Sequence, residues 1–194
     1  MSLDFGLYKN DNTYLFITNG CNAIVHEGKE FKIVTQGHFK GELWGLAANT
    51  ERDKDVFVTG GDDSTVRVWS IADRKEIYRF NNEEARRVRG IDWSNDGRKI
   101  IYGDDRAFVC LLDDRLKNPV WYKTGVPAKK NQGEAKGYIE EIKFSPNNEL
   151  VVYGTHGQSL KAEYLTVGDN SLKLKSVFSV GSSAFLHADW SRDS

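Results

Sequence analysis

GHFKGELWGLAANTERDKDVFVTGGDDSTVRVW (37–69) is the stretch that decides the architecture. Gly37-His38 opens it and Val68-Trp69 closes it, with strand-like pieces between them punctuated by turns. VFVTGG (56–61) and TVRVWS (65–70) are rich in β-branched and aromatic residues, and the Gly-Asp-Asp-Ser between them is turn chemistry. A Gly-His opening and a Trp close at this spacing mark one blade of a β-propeller. Such a motif is structural and points to a platform for partners.

The pattern recurs at intervals of about 45 to 50 residues. First strands read LWGLAAN (43–49), VRGIDWS (88–94), YIEEIKFS (138–145) and AFLHADWS (184–191). With Ala48, Trp93, Phe144 and Trp190 in register, Leu46, Ile91, Ile142 and Ala188 fall two residues earlier. Period two is what one buried face of a strand requires. Second strands follow at VFVTGG (56–61), KIIYGD (99–104) and LVVYGT (150–155), and third strands at TVRVWS (65–70), AFVCLLD (107–113) and LKAEYLT (160–166). Outer strands are expected at EFKIV (30–34), EIYRF (76–80), PVWYK (119–123) and LKLKSVFSV (172–180).

The ends differ. Residues 2–27 supply three strands, near LDFGLYK, YLFIT and AIVHE, without an outer strand of their own, and the last unit stops at WSRDS. The expected fold is therefore all-β, an incomplete propeller of about three whole four-stranded blades plus two partial ones. Its units are a partial blade and outer strand (1–36), a blade with Gly-His and Trp (37–80), two further blades (81–123 and 124–180, the latter with a long basic connection) and the start of a truncated blade (181–194). An open ring leaves an unpaired edge. The expectation is a fragment of a longer natural chain, with a ring completed by another propeller segment as the alternative.

Composition agrees with a globular β protein. Of 194 residues, 39% are hydrophobic and 28% charged, with a net charge of −1, which argues against disorder and against a basic nucleic-acid binder. No apolar run reaches membrane-spanning length, and MSLDFGLYKND lacks the basic and apolar regions of a signal peptide. Neither nucleic acid nor membrane is an expected partner. Cys21 and Cys110 lack metal-ligand spacing and sit in strand-like runs, so buried free thiols in a reducing, intracellular compartment are expected. Only three prolines accompany eighteen glycines, and the one helix-like segment, NNEEARRVRG (81–90), is short and runs into a strand.

The unit at 37–69 resembles a WD40 repeat. That resemblance assigns His38, Thr59, Asp63 and Trp69 to a structural tetrad of hydrogen-bonded side chains that pins strand register. A catalytic role for His38 and Asp63 would need a nucleophile, and Thr59, the one nearby hydroxyl of the motif, is already assigned. Later units depart from the motif. Asp104-Asp105-Arg106 keeps a turn acid, but Leu111 or Leu112 replaces the tryptophan, His156 has no carboxylate cluster beside it, and His26 and His187 fall on strands. Scattered histidines make no metal site, the Asp clusters lack a calcium-loop pattern, and no Walker, dinucleotide or serine-elbow motif is present. No catalytic residue, metal or cofactor is expected.

Loops leading into the innermost strands of a propeller emerge on one face. Here they carry Phe39, Lys40, Arg86, Arg87, Lys129, Lys130 and Lys136, a candidate partner-binding rim suited to an acidic partner. Glu83 and Glu84 offset Arg87 and Arg89 locally.

VTQGHFKGELWGLAAN (34–49) goes beyond a generic repeat: it is similar to the QGHxxELWGLA stretch of echinoderm microtubule-associated protein-like (EMAP-like) proteins. TNGCNAIVHEG (18–28) resembles that family's strand pair before the Gly-His loop, IEEIKFSPNNELVVYGTHG (139–157) its SPDG unit and SSAFLHADWSRDS (182–194) its GHSSxITHLDWS unit, in matching order. The resemblance implies part of a tandem-propeller domain, the second propeller, in a non-enzymatic cytoskeletal scaffold. It also implies tubulin, microtubules or microtubule-associated proteins as partners, in the cytoplasm, the cytoskeleton and the axoneme of cilia or flagella. The rival is a generic WD40 adaptor such as a ubiquitin-ligase substrate receptor. Against it, Ser70-Ile71-Ala72 follows Trp69 where such receptors carry Trp-Asp-x-Arg.

Overall fold

The computed structural model describes residues 3–8, 11–17, 22–27, 30–36, 38, 41–49, 55–82, 86–124, 137–155, 160–181 and 187–191, with the backbone alone for 3–36, 160–162 and 179–181. Every regular element among them is a strand. β1 (Leu3–Tyr8), β2 (Asp11–Ile17), β3 (Asn22–Glu27) and β4 (Glu30–Gln36) form a first antiparallel sheet in chain order. β5 (Leu43–Ala48), β6 (Val56–Gly61), β7 (Thr65–Ser70) and β8 (Lys75–Asn81) form the second. β9 (Val88–Trp93), β10 (Lys99–Asp104), β11 (Phe108–Asp113) and β12 (Val120–Lys123) form the third, and β13 (Ile139–Phe144), β14 (Leu150–Thr155), β15 (Leu160–Val167) and β16 (Leu172–Gly181) the fourth. These are the meandering four-stranded sheets of an incomplete β-propeller.

Two expectations at the ends need correction. The outer strand expected at EFKIV pairs with β3, Glu30 opposite Glu27, so the first unit is a whole four-stranded sheet and not a partial one. At the other end, residues 187–191 are not in a strand. A strand is defined by the neighbour that accepts its ladder, and none is present for this segment among the described residues. Trp190 nevertheless caps the fourth sheet, its indole N–H donating to the Lys143 carbonyl at 3.2 Å and its ring edge-on to Tyr164 at 5.7 Å.

Register follows the period-two reading. Leu46, Ala48, Ile91, Trp93, Ile142 and Phe144 are all buried. The second strands depart from simple alternation, with five consecutive buried residues in each of β6, β10 and β14. A sheet covered on both faces buries both sets of side chains. Val58, Val66 and Val68 of the second sheet pack with Ile91, Ile100, Tyr102 and Leu112 of the third, while Ile101, Val109 and Leu111 of the third pack with Ile139, Val151 and Leu165 of the fourth.

Innermost strands lie against one another, β5 on β9 and β9 on β13. A Cβ on Gly45 would stand 2.5 Å from Ile91 Cγ2 and 2.8 Å from the Arg89 carbonyl, and a Cβ on Gly103 would stand 2.4 Å from two Ile139 carbons. These glycines set the spacing between sheets. Gly103→Ala is expected to lower stability by about 1–3 kcal/mol through overpacking. Thermal unfolding would show this as a fall in Tm, whereas an unchanged Tm would mean the sheets can separate freely.

Candidate functional site

The turn between β6 and β7 places Asp62 and Asp63 beside the loop that carries His38. The four motif side chains meet there in one directed chain of hydrogen bonds. Trp69 Nε1–H donates to Thr59 Oγ1 at 2.8 Å, and Thr59 Oγ1 lies 2.8 Å from His38 Nε2. His38 Nδ1 lies 2.6 Å from Asp63 Oδ1. One tautomer fits all three contacts: Thr59 donates its hydroxyl proton to Nε2, and Nδ1–H donates to the carboxylate. Thr65 adds a backbone and a hydroxyl donor to Asp63 Oδ1, at 3.1 and 2.7 Å.

Sequence reading did not find the fifth member. Arg67 on β7 is buried, donates to Asp63 Oδ2 at 2.5 Å and to Thr65 Oγ1 at 2.9 Å, and reaches Glu76 at 3.4 Å. Its position opposite Thr59 was the available signal, because both residues fall on one face of paired strands. Thr59, His38 and Asp63 share the spacing of a nucleophile, base and acid. Thr59 and His38 are each only 1% exposed, and the hydroxyl oxygen already accepts the indole N–H. Both side chains are thus enclosed, and their hydrogen bonds tie the β6–β7 hairpin to the loop that carries His38.

Burial pushes the His38 imidazole below its ordinary value and outweighs the Asp63 contact that pulls the other way. Burial also opposes the Asp63 charge, but His38, Thr65 and Arg67 overcome it and hold this carboxyl at about 2.

The next two sheets solve the same position differently. Thr59 opposite Arg67 corresponds to Tyr102 opposite Cys110 and to Tyr153 opposite Glu163. Tyr153 donates its hydroxyl to Glu163, and both are buried. Cys110 is a buried free thiol whose pKa burial drives up to about 12, so it is unreactive. Leu112, opposite Ile100 as Trp69 is opposite Phe57, occupies the tryptophan position. Cys21 lies outside the described residues.

The expected basic rim is changed by the structure. Arg86 is buried, pairs with Asp104 at 3.3 Å, and stacks over Phe108 and Trp121 at 4.3 and 4.4 Å. It is enclosed by the third sheet and is not available to a partner, because its guanidinium finds an acid and two rings inside. Arg87 is exposed at a polar cleft of about 430 Å³ lined by Gly41, Asp62, Asp63, Ser64, Asn81 and Asn82. Phe39, Lys40, Lys129, Lys130, Lys136, Glu83, Glu84 and His156 lie outside the described residues. The acids that face Arg87 are Asp62 at 4.0 Å and Asp105 at 3.9 Å, and Asp62 also pairs with Arg89 at 3.3 Å.

A further surface feature is Trp44, part of the ELWG stretch. It is 39% exposed, its indole donates to Asp62 at 3.1 Å, and the Arg89 guanidinium covers one face at 4.1 Å. His187, expected on a strand, is instead in the unpaired segment, exposed and 3.3 Å from Glu141. Among the described residues no cluster of His, Cys, Asp or Glu could hold a metal ion, and no helix is long and apolar enough to cross a membrane.

Four-stranded meanders packed face to face, with the His38–Thr59–Asp63–Trp69 network in the second sheet, are the features of a WD40 repeat. The family model described as WD domain, G-beta repeat, matches residues 29–70. The chain is 28% identical over 96% of its length to Echinoderm microtubule-associated protein-like 2 of Mus musculus, covering 26% of that protein. It is 28% identical over 84% of its length to Ciliary WD repeat-containing protein ctxp80 of Euplotoides octocarinatus, covering 23% of it. Guanine nucleotide-exchange factor SEC12 of Mus musculus matches at 29% over 56% of the chain and 27% of its own length. The chain spans about a quarter of the length of the curated relatives it matches.

Two outcomes test the network. Asp63→Asn removes the nearer of the two carboxylates that face buried Arg67 and is expected to cost about 3 kcal/mol or more in denaturant unfolding, against about 1–3 kcal/mol for Trp69→Phe. The pH dependence has a fixed sign. The unfolded chain takes up a proton on His38 near its ordinary value of 6.5 that the fold resists, so stability falls as pH drops below that value. Asp63 stabilises fully above its ordinary 3.8 and loses that contribution as pH falls toward about 2. Urea midpoints measured from about pH 7.5 to about pH 5 should fall in the wild type and flatten in His38→Gln.

Proposed function

We propose that this chain forms part of a non-catalytic WD40 scaffold of the EMAP-like type, which presents its rim to protein partners in the microtubule cytoskeleton, including that of cilia. The observation that carries the reading is similarity across 96% and 84% of the chain to proteins whose names place them on microtubules and in cilia. The enclosed network supports a structural rather than a catalytic use of the histidine, threonine and aspartate. The rim supplies the contact in this reading. Trp44 offers an exposed indole face held still by Asp62 and Arg89, and Arg87 adds an exposed cation beside it. The sequence adds Lys40, Lys129, Lys130 and Lys136, cations that in this reading suit an acidic partner.

Co-sedimentation of the full-length protein with microtubules tests the proposal. Pelleting should weaken as salt rises and weaken further in a Trp44→Ala, Arg87→Glu double variant whose Tm stays close to wild type. Absence of pelleting, with ubiquitin-ligase subunits recovered by affinity capture instead, would move the assignment to a generic adaptor.

A further inference from the structure

Three of the five large apolar side chains exposed among the described residues lie on one strand. They are Leu174, Val177 and Phe178 of β16, at 48, 42 and 55% exposure, the other two being Trp44 and Tyr78. β16 is also the longest strand, with ten residues against seven in β8 and four in β12, the outer strands of the preceding sheets. It pairs with β15 along its length, and its other edge carries no strand among the described residues. An outer edge of this kind displays unpaired backbone N–H and C=O groups that template another strand.

The charged side chains of that strand have one sign. Lys173 and Lys175 are both exposed, and neither forms an ion pair with a described residue. Lys175 sits in a bulge: Leu174 pairs with Leu165 and Ser176 with Tyr164, leaving Lys175 without a counterpart on β15. β8 differs, because both its cations are paired: Arg79 is held by Glu76 through two contacts of 2.7 Å, and Lys75 lies 3.6 Å from Asp73. Lysines on an edge oppose pairing with a second copy of the same strand, since like charges then face each other across the new ladder. The same lysines attract a strand that carries carboxylates. Apolar side chains stand on both sides of the strand, with Val177 opposite Glu163 and Phe178 opposite Ala162, so a partner with alternating apolar residues finds contacts on either face.

We infer that β16 is a strand-addition site for an extended segment of a partner protein in which Asp or Glu alternates with apolar, β-branched residues. The segment adds as a fifth strand at the outer edge of the fourth sheet, with backbone hydrogen bonds giving affinity and the two lysines giving selection. This rests on the reading of the chain as an interaction scaffold. It uses the outer edge rather than the rim, and its test contains no microtubules, so the two can fail separately.

The probe is a synthetic peptide of alternating Glu and Val matching the ten residues of β16. Affinity is read by fluorescence anisotropy and location by amide hydrogen exchange. Binding should slow exchange across β16 and leave β8 unchanged. Lys173→Glu with Lys175→Glu should weaken binding by about tenfold or more, and the corresponding Gln pair by less, with the free proteins exchanging as wild type. A control peptide of equal charge with Pro at alternate positions, which cannot form a ladder, should not bind. Equal binding of the Pro peptide, protection away from β16, unchanged affinity in the Glu pair, or no binding of the probe would each overturn the assignment.

Discussion

A four-stranded sheet that is apolar on both faces has no stable existence alone in water, and the second, third and fourth sheets are of that kind. All six residues of β7 are buried, and five in succession on β6, β10 and β14. Removing both faces from water requires a neighbour on each side, and that requirement dictates how the sheets stack. It also dictates where side chains must be missing. Gly45 and Gly103 stand where a single added carbon would meet the next sheet.

Covering both faces raises a second difficulty, because strand pairs still carry polar side chains into the interior. The second and fourth sheets meet it at the same register position. Thr59 and Arg67 are satisfied through His38 and Asp63, and Tyr153 finds Glu163, while the third sheet sets Tyr102 opposite Cys110 there. In the third sheet a different cation, Arg86, is enclosed between Phe108 and Trp121 with Asp104 as its acid. Buried polar groups demand partners but do not prescribe which ones. The repeat can therefore lose its motif residues in later units and keep its shape.

Among the described residues the most enzyme-like cluster is sealed inside, and exposed side chains of note lie at loops and edges. The rim offers an immobilised indole and an exposed arginine, and the perimeter offers a long cationic edge. Such features suit recognition of other chains more than transformation of a small molecule.

Sequence alone determined what is periodic or covalent. Alternation in LWGLAA, VRGIDW and IEEIKF marked the buried face of each inner strand, and Gly-Asp-Asp-Ser marked the turn that brings Asp63 toward His38. Those signals are local, so a string of residues carries them. It could not show that Glu30–Gln36 completes the first sheet, since that depends on where a hairpin lands. Nor could it separate Arg86, drawn inside by two rings and an acid, from its neighbour Arg87, left in solvent. Adjacent, chemically identical side chains have the same sequence signature. Only the tertiary arrangement decides which one points into a neighbouring sheet, because burial depends on partners contributed from elsewhere in the chain.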